Sequence, residues 1–180
     1  LLQQKGIPYS GSNYEGCGNT WNKNTCKELL KENNIPTPNW ITVSSLFEIQ
    51  NRLEDAFFDL LRPFNELFLK PAEDGSSIDI FKISNNNDLD GAIVNCLDPR
   101  RPFIFEESIV YKELTVPILN GRCLPAVEIR TSESFYNFNA KYVNEDTQLT
   151  ELMLSIDKKN ELEQICLKTL DVMGCKGWAR

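Results

Sequence analysis

The chain has 180 residues, of which 41% are hydrophobic and 25% charged, with a formal net charge of −7. That balance suits a soluble globular fold and is too apolar for a disordered chain. It excludes a bilayer-spanning helix, which needs an apolar run of ~20 residues, and it offers no basic face for a nucleic acid.

Residues 1–18, rich in Gly, Ser and Asn, are expected to be a strand end followed by loop. Residues 22–34 have a helical composition with Cys26, Leu29 and Leu30 on one face. Ile35-Pro36-Thr37-Pro38 ends that helix, because a residue before proline is pushed out of the helical region. A short strand is expected at Trp40–Val43. Ser44 or Ser45 can cap a second helix, whose Leu46, Ile49, Leu53, Phe57 and Leu60 form one apolar stripe before Arg62-Pro63 stops it. Leu67-Phe68-Leu69 reads as a buried strand ending at Lys70, with a loop to Ser77 and a returning strand over residues 78–83.

A short helix over residues 88–97 would stack Leu89, Ile93 and Leu97, and Phe103-Ile104-Phe105 reads as another buried strand running into Glu106-Glu107. Asn120-Gly121 is a two-residue turn signal between strands at 113–119 and 122–129. Residues 131–150 are a long polar stretch with interspersed aromatics, and a loop of that length is ordinarily functional or disordered. A last helix over residues 157–173, with Leu162, Ile165, Cys166, Thr169 and Val172 inward, is closed by Gly174. The fold class is α+β, mostly antiparallel with packed helices.

The chain contains no histidine, so its chemistry must rest on carboxylates, lysines, arginines, backbone amides or a bound metal. Its six cysteines form no C-x-x-C pair, which points to reduced thiols and a cytoplasmic location rather than a zinc or redox motif. The first residues lack the basic start and apolar core of a signal peptide. With no initiating Met, the chain is expected to be a segment of something longer.

Three local features bear on function. Lys70 closes a buried strand, where one ammonium can be aimed at a phosphate, although most lysines at strand ends are simply solvated. Asp74-Gly75-Ser76-Ser77 is a hydroxyl-rich turn whose amides can fold over phosphate oxygens; it lacks the spacing of a Walker loop, and taken alone it is an ordinary hairpin turn. Glu106, Glu107 and Glu113 could accept hydrogen bonds from an adenine amino group and from ribose hydroxyls.

In order along the chain, these pieces resemble the D-alanine–D-alanine ligases of the ATP-grasp superfamily. The resemblance runs nearly end to end. It is carried by Gly6-Ile7-Pro8-Tyr9-Ser10-Gly11-Ser12, Lys23-x-x-x-Lys27, Phe68-Leu69-Lys70-Pro71-Ala72 with Gly75-Ser76-Ser77, and Glu113-Leu114-Thr115-Val116. Leu124-Pro125-Ala126-Val127-Glu128-Ile129, residues 135–142 and residues 174–180 complete it.

The resemblance implies an ATP-grasp fold incomplete at both ends. Residues 1–18 would close an N-terminal domain, 19–112 would form the smaller subdomain, and 113–180 would begin the C-terminal subdomain, with a mobile loop at 131–150. It implies that Lys23 and Lys70 touch the ATP phosphates, and that Gly75, Ser76 and Ser77 close over the γ-phosphate. Glu106, Glu107 and the backbone near Ile109 would face adenine, and Glu113 the ribose. Lys141 and Tyr142 would seal the site, and Arg180 would lie beside the transferred phosphate. Magnesium would be held by residues beyond Arg180.

The implied reaction joins two D-alanines through an acyl phosphate, for cell-wall precursor (peptidoglycan) synthesis, with a homodimer as a possible assembly. Tyr142, where depsipeptide-forming members tend to carry histidine, favours the dipeptide. Two positions depart from the family's usual loop: Asp74 stands where glutamate is common and Asp79 where glycine is common. A ligase for another acid and amine, or a degenerate module that binds nucleotide without catalysis, are the alternatives.

Overall fold

The computed structural model describes residues 2–49, 64–109, 111–133 and 135–180. Most of the helix expected from residue 46 onward lies outside these. Its first turn is present as a 3-10 segment at Leu46–Glu48, where the Ser45 hydroxyl accepts from the Phe47 N–H at 3.1 Å.

The beginning of the chain departs from expectation. Instead of strand and loop it carries a 3-10 turn at Gln3–Lys5 and a helix, α1 (Tyr14–Trp21). Glycines at 16 and 18 argue locally against a helix, but Asn13 caps it, accepting from the Gly16 N–H at 2.8 Å. Gly16 also allows a close backbone approach, since a Cβ there would lie 2.7 Å from the Gly174 carbonyl oxygen. Asn22 then breaks the helix with extended backbone and caps α2 (Lys23–Glu32), accepting from the N–H groups of Asn24 and Thr25.

The first sheet contains β1 (Trp40–Val43), β2 (Leu67–Pro71), β3 (Phe81–Ile83) and β4 (Phe103–Glu107), with α3 (Asn86–Asn95) between the last two. The strand order is β1-β4-β2-β3, antiparallel throughout. Strand alternation divides the sheet into two faces. Val43, Leu67, Leu69, Ile83, Phe103 and Phe105 turn one way and pack with Leu46, Ile49, Leu89, Ala92 and Cys96 into the core. Phe68 and Lys70 of β2 and Glu106 of β4 turn the other way, with Glu106 directly opposite Phe68 and Trp40. One face therefore builds the core, and the other sets the charged groups among Trp40, Phe68 and the buried Ile104.

Two expectations are corrected by these elements. Residues 78–80 do not extend β3, because Asp79 lies in the left-handed region at φ 53° and cannot continue a strand. Leu97 is not stacked beneath Leu89, because α3 stops at Asn95; Leu97 is exposed and Cys96 takes the buried place.

The second half contains β5 (Glu113–Thr115), β6 (Ile118–Leu119), β7 (Arg122–Cys123), β8 (Val127–Arg130), α4 (Phe138–Tyr142), β9 (Gln148–Glu151), α5 (Ile156–Val172) and β10 (Trp178–Ala179). Asn120-Gly121 does form the expected tight turn, with φ of 48° and 74°. The hairpin is nevertheless split. Pro117 and Pro125 lack the N–H a ladder needs, so β6–β7 joins β10 while β5–β8 joins β9. The polar stretch at 131–150 is more ordered than expected, holding α4 and the start of β9. α5 matches its expected position, and Gly174 follows it at φ 68°. Among the described residues no helix is long and apolar enough to cross a membrane.

Candidate functional site

The polar face of the first sheet carries a buried charge cluster. The Lys27 ammonium, on α2, donates to Glu106 Oε2 at 2.6 Å and to the Thr37 hydroxyl at 2.8 Å. Lys70 bonds the other carboxylate oxygen of Glu106. Burial by itself would push the Glu106 carboxyl up, but Lys70 and Lys27 together hold it below the ordinary glutamate value. Trp40 lies under Lys27 at 5.1 Å and Phe68 under Lys70 at 5.1 Å, so aromatic faces complete the surroundings of both ammonium groups.

Lys23, at the start of α2, is tied to the loop that follows β2. Its N–H donates to the Ala72 carbonyl at 2.7 Å and its Nζ to the Asp74 carbonyl at 2.8 Å. Burial and the positive charge of Lys70 hold the Lys23 pKa below the ordinary lysine value. A group of cations kept out of water beside a backbone turn is an electrostatic trap for anions.

The turn itself is held in an unusual conformation. Asp74, Ser76, Ser77 and Asp79 all have positive φ, at 141°, 56°, 58° and 53°. Left-handed backbone costs a non-glycine residue about 1–2 kcal/mol, so such a turn persists only when its neighbours fix it. Some of these neighbours come from the far half of the chain. Ser76 Oγ lies 3.0 Å from the Tyr142 hydroxyl, Lys141 Nζ donates to Ser77 Oγ at 2.6 Å, and that hydroxyl donates to the Tyr136 carbonyl at 3.1 Å.

Glu113 and Arg180 border this junction. Tyr136 bonds Glu113 through its backbone, and packing around the carboxyl raises its pKa although solvent still reaches the residue. Lys141 is partly desolvated, which lowers its pKa, and it feels the charges of Glu113 and Arg180.

Most of the residues singled out from sequence therefore converge. Lys23, Lys70, Gly75, Ser76, Ser77, Glu106, Glu113, Lys141, Tyr142 and Arg180 belong to one continuous region. Glu107 does not share it through its side chain, which pairs with Asn39 Nδ2 at 2.9 Å and lies on the core-side register of β4 opposite Leu67. Ile109 is 53% exposed in the segment after β4. Two cluster members were not expected as site residues: Lys27, whose four-residue spacing from Lys23 places both on one helix face, and Arg101, whose partners are remote in sequence. No three His, Cys, Asp or Glu side chains among the described residues converge as a metal site.

Antiparallel sheets backed by helices, with a lysine-bearing strand and hydroxyl turn in one half meeting an arm of the other, form an ATP-grasp fold. The chain belongs to the family described as D-ala D-ala ligase C-terminus, whose pattern matches residues 29–180.

It is 32% identical over 175 residues to D-alanine–D-alanine ligase B of Clostridium perfringens, covering 97% of this chain and 56% of that protein. It superimposes on the crystal structure of a D-alanine–D-alanine ligase from Bacillus anthracis with a TM-score of 0.78 and 29% identity, over 99% of this chain and 57% of the other. The ATP complex from the same organism aligns with a TM-score of 0.75 and 25% identity, over 98% of this chain and 54% of the other. The chain thus spans about half the length of the relatives it matches.

Proposed function

We propose that the chain is the nucleotide-binding part of an ATP-dependent ligase that joins two D-alanines through an acyl phosphate. One observation carries the reading. Lys23, Lys70, the 74–77 turn, Lys141 and Arg180 border one region, an arrangement suited to a polyphosphate. The named relatives give the acid and the amine. Residues 19–112 and 113–180 serve as the smaller ATP-grasp subdomain and the start of the larger one, and residues 1–18 as the end of a preceding domain, with α1 (Tyr14–Trp21) running across that first boundary.

In this reading Lys23 and Lys70 bind the phosphates, and the amides and hydroxyls of Gly75, Ser76 and Ser77 fold over the γ-phosphate. Glu106 and the backbone near Ile109 meet adenine, and Glu113 meets the ribose. Lys141 and Tyr142, which already reach Ser77 and Ser76, exclude water from the reacting groups. The carboxylate of one D-alanine takes the γ-phosphoryl group, and the amine of the second displaces phosphate with Arg180 beside the developing charge.

No protein nucleophile is needed, consistent with a chain that has no histidine. Magnesium supplies charge neutralisation in such a reaction, but the described residues build no cluster that fits it, so this chain's own part falls to side chains and amides. The six unbridged thiols suit a reducing, cytoplasmic setting.

The chain by itself is expected to bind nucleotide without ligating, so phosphate release from ATP by the intact parent polypeptide, measured with D-alanine and with L-alanine, tests the proposal. Stimulation by D-alanine alone, abolished by Lys70→Ala, is expected. Equal stimulation by both amino acids would sink the D-alanine assignment. Nucleotide binding by that intact polypeptide without any turnover would favour the non-catalytic module that the Asp79 departure suggests.

A further inference from the structure

Asp74 and Asp79 share one partner. Arg101, in the segment between α3 and β4, sends Nη1 to Asp74 Oδ2 at 2.6 Å and Nη2 to Asp79 Oδ2 at 2.5 Å. These carboxylates stand at the two ends of the strained turn, so one guanidinium spans it from side to side. The Asp79 side chain is only 6% exposed and also accepts from the Leu97 N–H at 3.1 Å. The Phe103 ring lies 5.7 Å from the guanidinium carbon, which backs the arginine with the rigid core strand β4.

We propose that Arg101 is a positioning residue for the phosphate-binding turn, fixing Gly75-Ser76-Ser77 by bridging Asp74 and Asp79. This rests on the assignment of the turn to a nucleotide's phosphates. The physical argument has two parts. Asp79 occupies left-handed backbone that glycine would adopt freely, so this chain carries a cost at that position that a glycine would avoid. A planar fork that binds two carboxylates at once supplies the compensating constraint, which a point-charge lysine cannot.

Asp74 is connected through its own carbonyl to Lys23, so the clamp links the turn to a second phosphate-facing cation as well. Arg101 touches no reacting atom in this arrangement. Its effect is on where the turn's amides and hydroxyls stand, and the γ-phosphate is the part of a nucleotide that would feel it.

The test compares ATP and ADP binding to the full chain by titration calorimetry, in wild type, Arg101→Ala, Arg101→Lys and Arg101→Ala/Asp79→Gly. Expected is a loss of about tenfold in ATP affinity for both single variants, the scale of one lost conformational constraint, with ADP affinity unchanged. The double variant, whose glycine adopts the turn without a clamp, should recover most of the loss. An equal loss for both nucleotides, or wild-type ATP binding in Arg101→Lys, would overturn the proposal.

Hydrogen exchange at residues 74–79 separates the clamp from the nucleotide assignment. If wild type bound neither nucleotide, that assignment would fail by itself. Faster exchange confined to the turn in Arg101→Lys would still uphold the clamp, and unchanged exchange would reject it.

Discussion

The Lys27 ammonium and the Glu106 carboxylate lie 2.6 Å apart with side chains 6% and 12% exposed, so each replaces most of the water the other has lost. Removing one partner of such a pair costs about 3–5 kcal/mol, because the remaining charge is stranded. Lys27→Met is expected to destabilise the chain, with Lys70 still bonded to Glu106 and keeping the loss near the lower figure. Urea unfolding of Lys27→Met, Glu106→Leu and the double variant checks this. A double variant as unstable as the two losses summed would show that the pair is not coupled.

The same carboxylate predicts an acid dependence. Its pKa is held below the ordinary glutamate value of about 4.3. The stabilisation is therefore complete above that value and is lost as pH falls through the lower, folded-state pKa. The stability gap between wild type and Glu106→Gln should be widest near neutrality and shrink progressively below about pH 4.3. A gap independent of pH would contradict the assignment.

Ser77 joins the two halves of the site by accepting from Lys141 and donating to Tyr136. Ser77→Ala removes both bonds and leaves the first core untouched. Global stability is expected to fall by about 1 kcal/mol, while cleavage of residues 131–147 by a trace of protease rises several-fold through local opening. Unchanged cleavage would mean the arm is held by other contacts.

Gly16 is a packing requirement. A methyl group there would meet the Gly174 carbonyl at 2.7 Å, against backbone that cannot rotate away. Gly16→Ala should destabilise by about 1–3 kcal/mol despite alanine's better helix propensity, whereas Gly18→Ala, which meets open space, should not. Thermal melts of the two variants decide it.

What was legible in the sequence follows from how local each signal is. The apolar runs Leu67-Phe68-Leu69 and Phe103-Ile104-Phe105 marked both strands, because such a run bounded by turn signals is a local property, but the face each side chain takes follows from the pairing of β2 with β4. Asn120-Gly121 marked its turn for the same reason, yet not the split of the hairpin between two sheets, which depends on partners supplied by β9 and β10. α1 was hidden because Gly16 and Gly18 lower helix propensity, and its justification lies in a contact with residue 174. The Arg101 clamp was equally invisible: its partners are 27 and 22 residues away and no periodicity connects them.

The contact between α1 and the turn after α5 also bears on how the protein acquires its structure. Gly16 against Gly174, and Ser12 accepting from the Lys176 N–H at 3.0 Å, close a loop of 164 residues by the latter bond. Loop-closure entropy must be overcome before so distant a pairing is rewarded. On a ribosome, α1 would emerge with α2, on which it packs, but its Gly16 face would wait uncovered for residues 174–176. The β1–β4 core could condense earlier, leaving that face to be covered last, once residues 174–176 have left the exit tunnel.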